Sequence, residues 1–158
     1  MSRSLGPALP ADLVTLPQAD LDSRLGRALP FVTQGEDGAP YPMLCSYLEW
    51  LAVDARTLRL AIAAGSRSAR NLEARRVGTL LVIEPERTMY VRCRASGAPR
   101  RLGGLARFTL AVEDVLDDRP TEAEGDARIV SGITYRPLPA LEAAWARAIL
   151  AALRANEG

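Results

Sequence analysis

Residues Gly65 to Leu72 read Gly-Ser-Arg-Ser-Ala-Arg-Asn-Leu, and they hold the densest set of anion-binding side chains in the chain. Leu58, Leu60 and Ile62 alternate just before them, as in a strand, and Gly65 ends that pattern. Ser66 then opens a segment with helical spacing. A strand that turns through Gly-Ser into a helix start collects free backbone N–H groups, hydroxyls and guanidinium groups at one point. That combination suits an anion, and a phosphate above all, because Arg67 and Arg70 offer forked donors. The same residues also fit an ordinary turn, with Ser66 or Ser68 as helix cap and the Arg side chains in water.

Other chemistries are excluded by composition. The chain has 158 residues and no His, which removes Ser–His and Cys–His catalysis and imidazole metal sites. Its 20 basic residues are all Arg, so there is no lysine nucleophile, Schiff base or Walker-type lysine. Cys45 and Cys93 lie in apolar, strand-like segments and read as reduced core residues. Glu113, Asp114, Asp117 and Asp118 lack the glycine-spaced pattern of a calcium loop, and no metal is expected. The net charge of +1 gives no electrostatic case for nucleic acid or an anionic membrane. No apolar run approaches the ~20 residues of a membrane span, and the N-terminus lacks a signal-peptide core. A cytoplasmic location is expected. A shortage of catalytic side chains points to a borrowed cofactor or to no enzyme, and no catalytic residue is assigned.

The elements that must position Ser66 to Asn71 follow from periodicity. Residues 1 to 16 show none and are expected as a loose arm. Pro17 to Ala28 has the spacing of a short helix. Strands are expected at Phe31 to Thr33, Tyr41 to Val53, Thr57 to Ala63, Val77 to Ile83, Thr88 to Ala95, Ala106 to Leu116 and Arg128 to Tyr135. A helix is expected at Ser66 to Arg75. Leu138 to Arg154 reads as an amphipathic helix, with Leu138, Leu141, Trp145, Ala148, Ile149 and Leu153 on one stripe, and the C-terminal helical region is set at 137–155. Tight turns imply antiparallel pairing. The fold class is therefore mainly β with helices (α+β), as one domain over 1–158. It is an antiparallel six- to seven-stranded β-barrel with a short helix after the third strand and a C-terminal amphipathic helix.

The order of hairpin, long strand, Asp-turn, strand, Gly-Ser-Arg-x-x-x-Asn-Leu, strand, Glu-Arg turn and strand resembles the pyridoxamine 5′-phosphate oxidase-like, FMN-binding split-barrel family. The resemblance covers roughly residues 29 to 135. Its sharpest part is Gly65 to Leu72, which matches the segment that grips the FMN phosphate in the family. Glu86-Arg87-Thr88 is similar to the turn where a Gln commonly contacts the flavin. The strand around Ser46 to Leu51 is similar to the one that runs along the flavin. Three positions depart from the family pattern. Its phosphate Lys is Ser68 here, its Gln is Thr88, and its early phosphate-binding Arg is Ser46, with Arg59 or Arg70 left to supply charge. A hydrogen bond from Ser46 to a backbone carbonyl is the plainer reading for that buried hydroxyl.

The resemblance implies FMN as cofactor, bound by Ser66, Arg67, Ser68, Arg70, Asn71, Ser46 and Thr88, and an oxidoreductase acting on a small substrate. It also implies a homodimer with the flavin at the subunit interface, for which Met89, Val91, Trp50 and the last helix would offer apolar surface. Two alternatives stand beside this reading. One is a non-enzymatic split-barrel homodimer that binds flavin weakly or not at all. The other is a reductase that uses the deazaflavin F420.

Overall fold

Alternating apolar residues are gathered into one antiparallel sheet that curls into a split barrel. The computed structural model describes residues 2–19, 21–85, 87–125, 128–136 and 140–156. In chain order the elements are β1 (Ser2–Ser4), α1 (Ala11–Ala19), α2 (Leu21–Arg24), β2 (Arg27–Gln34), β3 (Pro40–Ser46), β4 (Trp50–Asp54) and β5 (Thr57–Ala63). Then come α3 (Arg67–Arg75), β6 (Val77–Glu84), β7 (Arg87–Ala95), β8 (Arg100–Leu102), β9 (Leu105–Asp118), β10 (Ile133–Thr134) and α4 (Ala144–Arg154). Strand order is β10-β2-β6-β7-β9-β5-β4, with β3 on β2 and both β1 and β8 on β9.

Two strands organise the sheet. β9 is 14 residues long. Its first half pairs with β5 and β8, and its second half with β7 and β1. A register shift between Arg92 and Cys93 leaves Glu113 as the extra residue of a bulge, which sharpens the bend of β9. β2 pairs with β3 from Ala28 to Gln34. Its other edge meets β6 only at Phe31–Thr33 and β10 at Arg27–Ala28. Pro30, which has no N–H for a ladder bond, marks the place where β2 and β6 part.

The barrel interior is filled by Phe31, Leu60, Leu80, Val82, Val91, Phe108 and Leu110. A second apolar cluster joins Leu48 and Ala61 to Ala146, Ile149, Ala152 and Leu153 of α4. The free carbonyls at the C-terminal end of α4 are met by arginines from the sheet. Arg59 Nη1 donates to Leu153 O (2.8 Å) and Ala155 O (3.2 Å), Arg107 donates to Ala152 O (3.4 Å) and Ala155 O, and Arg100 donates to Asn156 O. Cations at this end also complement the helix dipole.

Several sequence expectations are corrected. Residues 2 to 16 are not a loose arm. β1 pairs with the end of β9, and Leu9 and Leu13 are core residues. Their burial is set by distant partners, which local periodicity does not show. The helix expected at Pro17 to Ala28 is replaced by α1, α2 and the start of β2. The long strand over Tyr41 to Val53 is broken by a turn between β3 and β4, with Glu49 N donating to Ser46 O (3.0 Å). The Gly/Pro/Arg-rich segment Ser96 to Gly104, which reads as a loop in the sequence, contains β8, and the strand over Arg128 to Tyr135 shrinks to β10. The helix α3 follows the fifth strand rather than the third, because β1 and the divided long strand raise the count. The C-terminal helix starts at Ala144, later than expected, and Leu138 lies outside the described residues. Its buried face is Ala146, Ile149, Ala152 and Leu153, so Trp145 is 51% exposed. Met89, Val91 and Trp50 are buried in this chain's own barrel and are not free for an interface.

Gly78 on β6 sits opposite Thr33 and beneath the ring of Phe31. A Cβ there would lie 2.4 Å from Phe31 Cζ. The Gly78→Ala variant must therefore displace a fully buried ring. It is expected to lose about 1–3 kcal/mol in urea denaturation, and an unchanged midpoint would show that Phe31 has room to move.

Candidate functional site

The helix α3 begins as the sequence suggests. Ser66 is its N-cap, with extended backbone, and Ser66 Oγ accepts from Ala69 N (3.1 Å). The next two N–H groups, of Arg67 and Ser68, have no intrahelical acceptor. Arg67 lies over the ring of Tyr41, 5.3 Å from its centroid. Arg70 turns back, and its Nη1 donates to Gly65 O (2.7 Å). Neither guanidinium makes an ion pair among the described residues, so both keep their positive charge beside the helix start. Their contacts are an aromatic face and a neutral carbonyl.

The buried face of α3 fixes this geometry. Ser68, Ala69, Asn71 and Leu72 face the sheet. Asn71 Nδ2 donates to Thr33 Oγ1 (3.0 Å), and Thr33 Oγ1 donates in turn to Tyr41 O (3.2 Å). That chain ties the helix to the paired ends of β2 and β3, where Thr33 and Tyr41 stand opposite each other. Asn71 is thus a packing and hydrogen-bonding residue of the helix side. The C-terminal end is closed by Arg76 in the left-handed region (φ 64°), its N–H donating to Leu72 O.

The structure brings Ser66, Arg67, Ser68, Arg70 and Asn71 together on α3 and leaves Ser46 and Thr88 elsewhere. Ser46 is five residues along β3 from Tyr41, about 17 Å at strand rise. Its backbone N–H and hydroxyl both donate to Glu49 Oε2, at 2.6 Å and 3.2 Å. Thr88 pairs with Ile83 at the opposite end of the β6–β7 hairpin from α3. Arg59 is engaged at the C-terminus of α4 and supplies no charge to α3.

A second polar centre was not foreseen from the sequence, where Glu84 falls in a turn. Glu84 ends β6 and is only 3% exposed. Its Oε1 accepts from Tyr47 Oη (2.6 Å), Arg24 Nη1 (2.9 Å) and Arg27 Nη1 (2.8 Å). Arg24 also lies over the Tyr47 ring, and Arg87 pairs with Asp12 of α1. Burial opposes ionisation of Glu84, but hydrogen bonds from Tyr47 and Arg27 and the charges of Arg24 and Arg27 outweigh it. The carboxyl is held below its ordinary pKa. Tyr47 is pushed up by burial and by its bond to Glu84. Glu49 shifts the other way from Glu84, because burial dominates over its bonds from Ser46. The one sequence signal for Glu84 is a carboxylate that directly continues a strongly apolar strand. Cys45 and Cys93 are buried and unbridged, and burial lifts Cys93 to about 12, so both thiols are protonated and inert at neutral pH.

The lowered pKa of Glu84 carries a sign. Its contribution to stability is complete above the unfolded carboxyl value of about 4.3 and is lost as pH falls through the lower folded value. Stability measured by urea denaturation should therefore drop on acidification below about pH 4.3. Glu84→Gln should weaken the fold at pH 7 by about 1–3 kcal/mol, by removing the negative charge that Arg24, Arg27 and Tyr47 meet at one buried carboxylate, and should flatten that acid dependence. An unchanged acid slope in the variant would assign the dependence to other carboxylates.

No protein-family model matches the sequence, and no curated protein sequence matches it. Solved structures do match the fold. A candidate pyridoxamine 5′-phosphate oxidase from Lactobacillus delbrueckii aligns over 73% of this chain and 98% of its own, at 14% identity and TM-score 0.57. A candidate flavin reductase from Haemophilus somnus aligns over 69% of this chain and 87% of its own, at 14% identity and TM-score 0.50. A candidate oxidoreductase from Sinorhizobium meliloti aligns over 71% of this chain and 49% of its own, at 9% identity and TM-score 0.51. At such identities the likeness is one of fold. This chain has the split-barrel fold found in the pyridoxamine 5′-phosphate oxidase-like and flavin reductase structures.

Proposed function

We propose that this protein binds a flavin-type cofactor, FMN in the first instance, with the cofactor's phosphate at the N-terminal end of α3, and acts as an oxidoreductase on a small substrate. The observation that carries the reading is the pair Arg67 and Arg70. Both flank a capped helix start, and both have contacts that leave their charge uncompensated. Two guanidinium groups with two helix N–H groups suit a phosphate dianion. The fold likeness to a candidate flavin reductase supports the same reading.

When bound, a flavin-type cofactor supplies hydride or electron transfer at its own ring. The chain's residues have the narrower task of holding and orienting. Arg67 and Arg70 grip the phosphate. Ser66 keeps the helix start open by occupying only Ala69 N–H. Asn71, through Thr33, holds α3 at a fixed height on the sheet. No proton-transfer residue is needed at this site, which suits a chain without His or Lys. A deazaflavin with a phosphate would meet the same donors.

A homodimer with the cofactor at its interface belongs to this reading. Ser46 and Thr88 lie far from α3 within one chain, and a second subunit is the means by which such positions could meet one cofactor. Leu44 and Trp145 are each 51% exposed and offer apolar surface for it. A non-enzymatic barrel with weak flavin affinity is favoured by one specific observation: Glu49 already occupies the hydroxyl of Ser46.

Titration of purified protein with FMN, followed in the visible spectrum, tests the proposal. Tight binding with perturbed flavin bands is expected, and Arg67→Ala and Arg70→Ala should each weaken it by about tenfold or more. Unchanged affinity in Arg67→Ala would refute the phosphate assignment. Light scattering should return twice the chain mass of 17.0 kDa, and a single-chain mass would overturn the dimer.

A further inference from the structure

Arg67 and Asn71 lie one helical turn apart on α3, and both reach the same place on the sheet. That place is the cross-strand pair of Thr33 on β2 and Tyr41 on β3. Asn71 arrives through the Thr33 hydroxyl, which in turn donates to Tyr41 O. Arg67 arrives on the Tyr41 ring, 5.3 Å from its centroid. Thr33 and Asn71 are buried, so this anchor is shielded from water, while Arg67 stays exposed.

The Tyr41 backbone has little freedom of its own. Pro40 precedes it and Pro42 follows it. A residue before proline is held in the extended region, and Tyr41 is further fixed by its pairing with Thr33. The ring therefore stands at a set place beside the start of α3.

The two arginines at that start are held in different ways. Arg70 spends an N–H on Gly65 O. Arg67 makes no hydrogen bond among the described residues. A ring face attracts a guanidinium group through its quadrupole and takes up none of its N–H donors. An exposed Arg side chain otherwise loses much rotamer freedom when a ligand immobilises it. Contact with the ring removes part of that loss in advance.

We propose that Tyr41 is a positioning residue of the α3 site: its ring holds the Arg67 guanidinium in place for a ligand phosphate and leaves the donors of that group free. The assignment rests on the reading of the α3 start as the phosphate-binding end.

Full-length protein is titrated with FMN and with riboflavin, which has the same ring and ribityl chain but no phosphate. Tyr41→Leu should weaken FMN binding by about three- to fivefold, the size of an exposed cation–π contact, and leave riboflavin binding unchanged. Tyr41→Phe keeps a ring face and should retain the wild-type affinity for FMN. In an Arg67→Ala background, Tyr41→Leu should have no further effect. An equal loss for FMN and riboflavin, or a loss that persists without Arg67, would make Tyr41 a structural or ring-stacking residue and overturn the proposal. Wild-type FMN affinity in Tyr41→Leu would also overturn it and, with Arg67→Ala still weak, would leave the phosphate reading standing. Equal wild-type affinities for FMN and riboflavin, or binding of neither, would remove both.

Discussion

A single buried carboxylate connects most of this barrel's end. Glu84 terminates β6, and its Oε1 receives Arg24 from α2, Arg27 from β2 and Tyr47 from the turn between β3 and β4. Arg87, at the start of β7, stands beside it and reaches Asp12 of α1. Elements separated by up to about half the sequence are thereby held in one arrangement. The desolvation cost of such a carboxylate is offset only while all its donors are present. The order of α1, α2 and the first strands depends on that condition. The same arrangement also holds the Tyr47 ring against Trp50, with centroids 5.5 Å apart, under the closing helices.

Several arginines do further long-range polar work at backbone carbonyls. Arg59, Arg107 and Arg100 hold the C-terminal end of α4, Arg70 and Arg101 hold the turn before α3, and Arg76 donates to Ala95 O. The guanidinium group suits this use, because several rigidly placed donors can reach neighbouring carbonyls without requiring a carboxylate. A carbonyl partner also leaves the positive charge in place. At α3 the guanidinium group of Arg70 therefore stays charged beside the turn it fixes.

The two ends of the sheet thus have opposite polar character. At the α3 end, Arg67 and Arg70 stand beside a capped helix start. At the Glu84 end, a buried acceptor stands inside a ring of donors. Between them lies an apolar interior closed by Phe31 over Gly78 and by Phe108 and Leu110 from β9. The split between β2 and β6 opens only at the Glu84 end, because β2 gives its edge to β6 for three residues and to β10 for two.

Local chemistry made part of this legible in the sequence. The alternation in Thr57 to Ala63, Val77 to Ile83 and Thr88 to Ala95 sets strands with apolar faces, and Gly65-Ser66 sets the start of α3, because a strand period and a cap are properties of adjacent residues. The gathering of Ser66, Arg67 and Arg70 follows from the same local rule. Tertiary structure decided what depends on partners far along the chain. Residues 2 to 16 are ordered because β9 has a free edge and the barrel end needs Leu9 and Leu13. Ser46 is turned to Glu49 by the turn that breaks the long apolar segment. Trp145 lies outside because the helix starts at Ala144 and turns Ala146 and Ile149 inward. Glu84 reads as a turn residue until Arg24, Arg27 and Tyr47 surround it. Spacing along a chain determines which face a residue takes. Only closure of the sheet determines what that face meets, because burial is a property of the assembled surfaces.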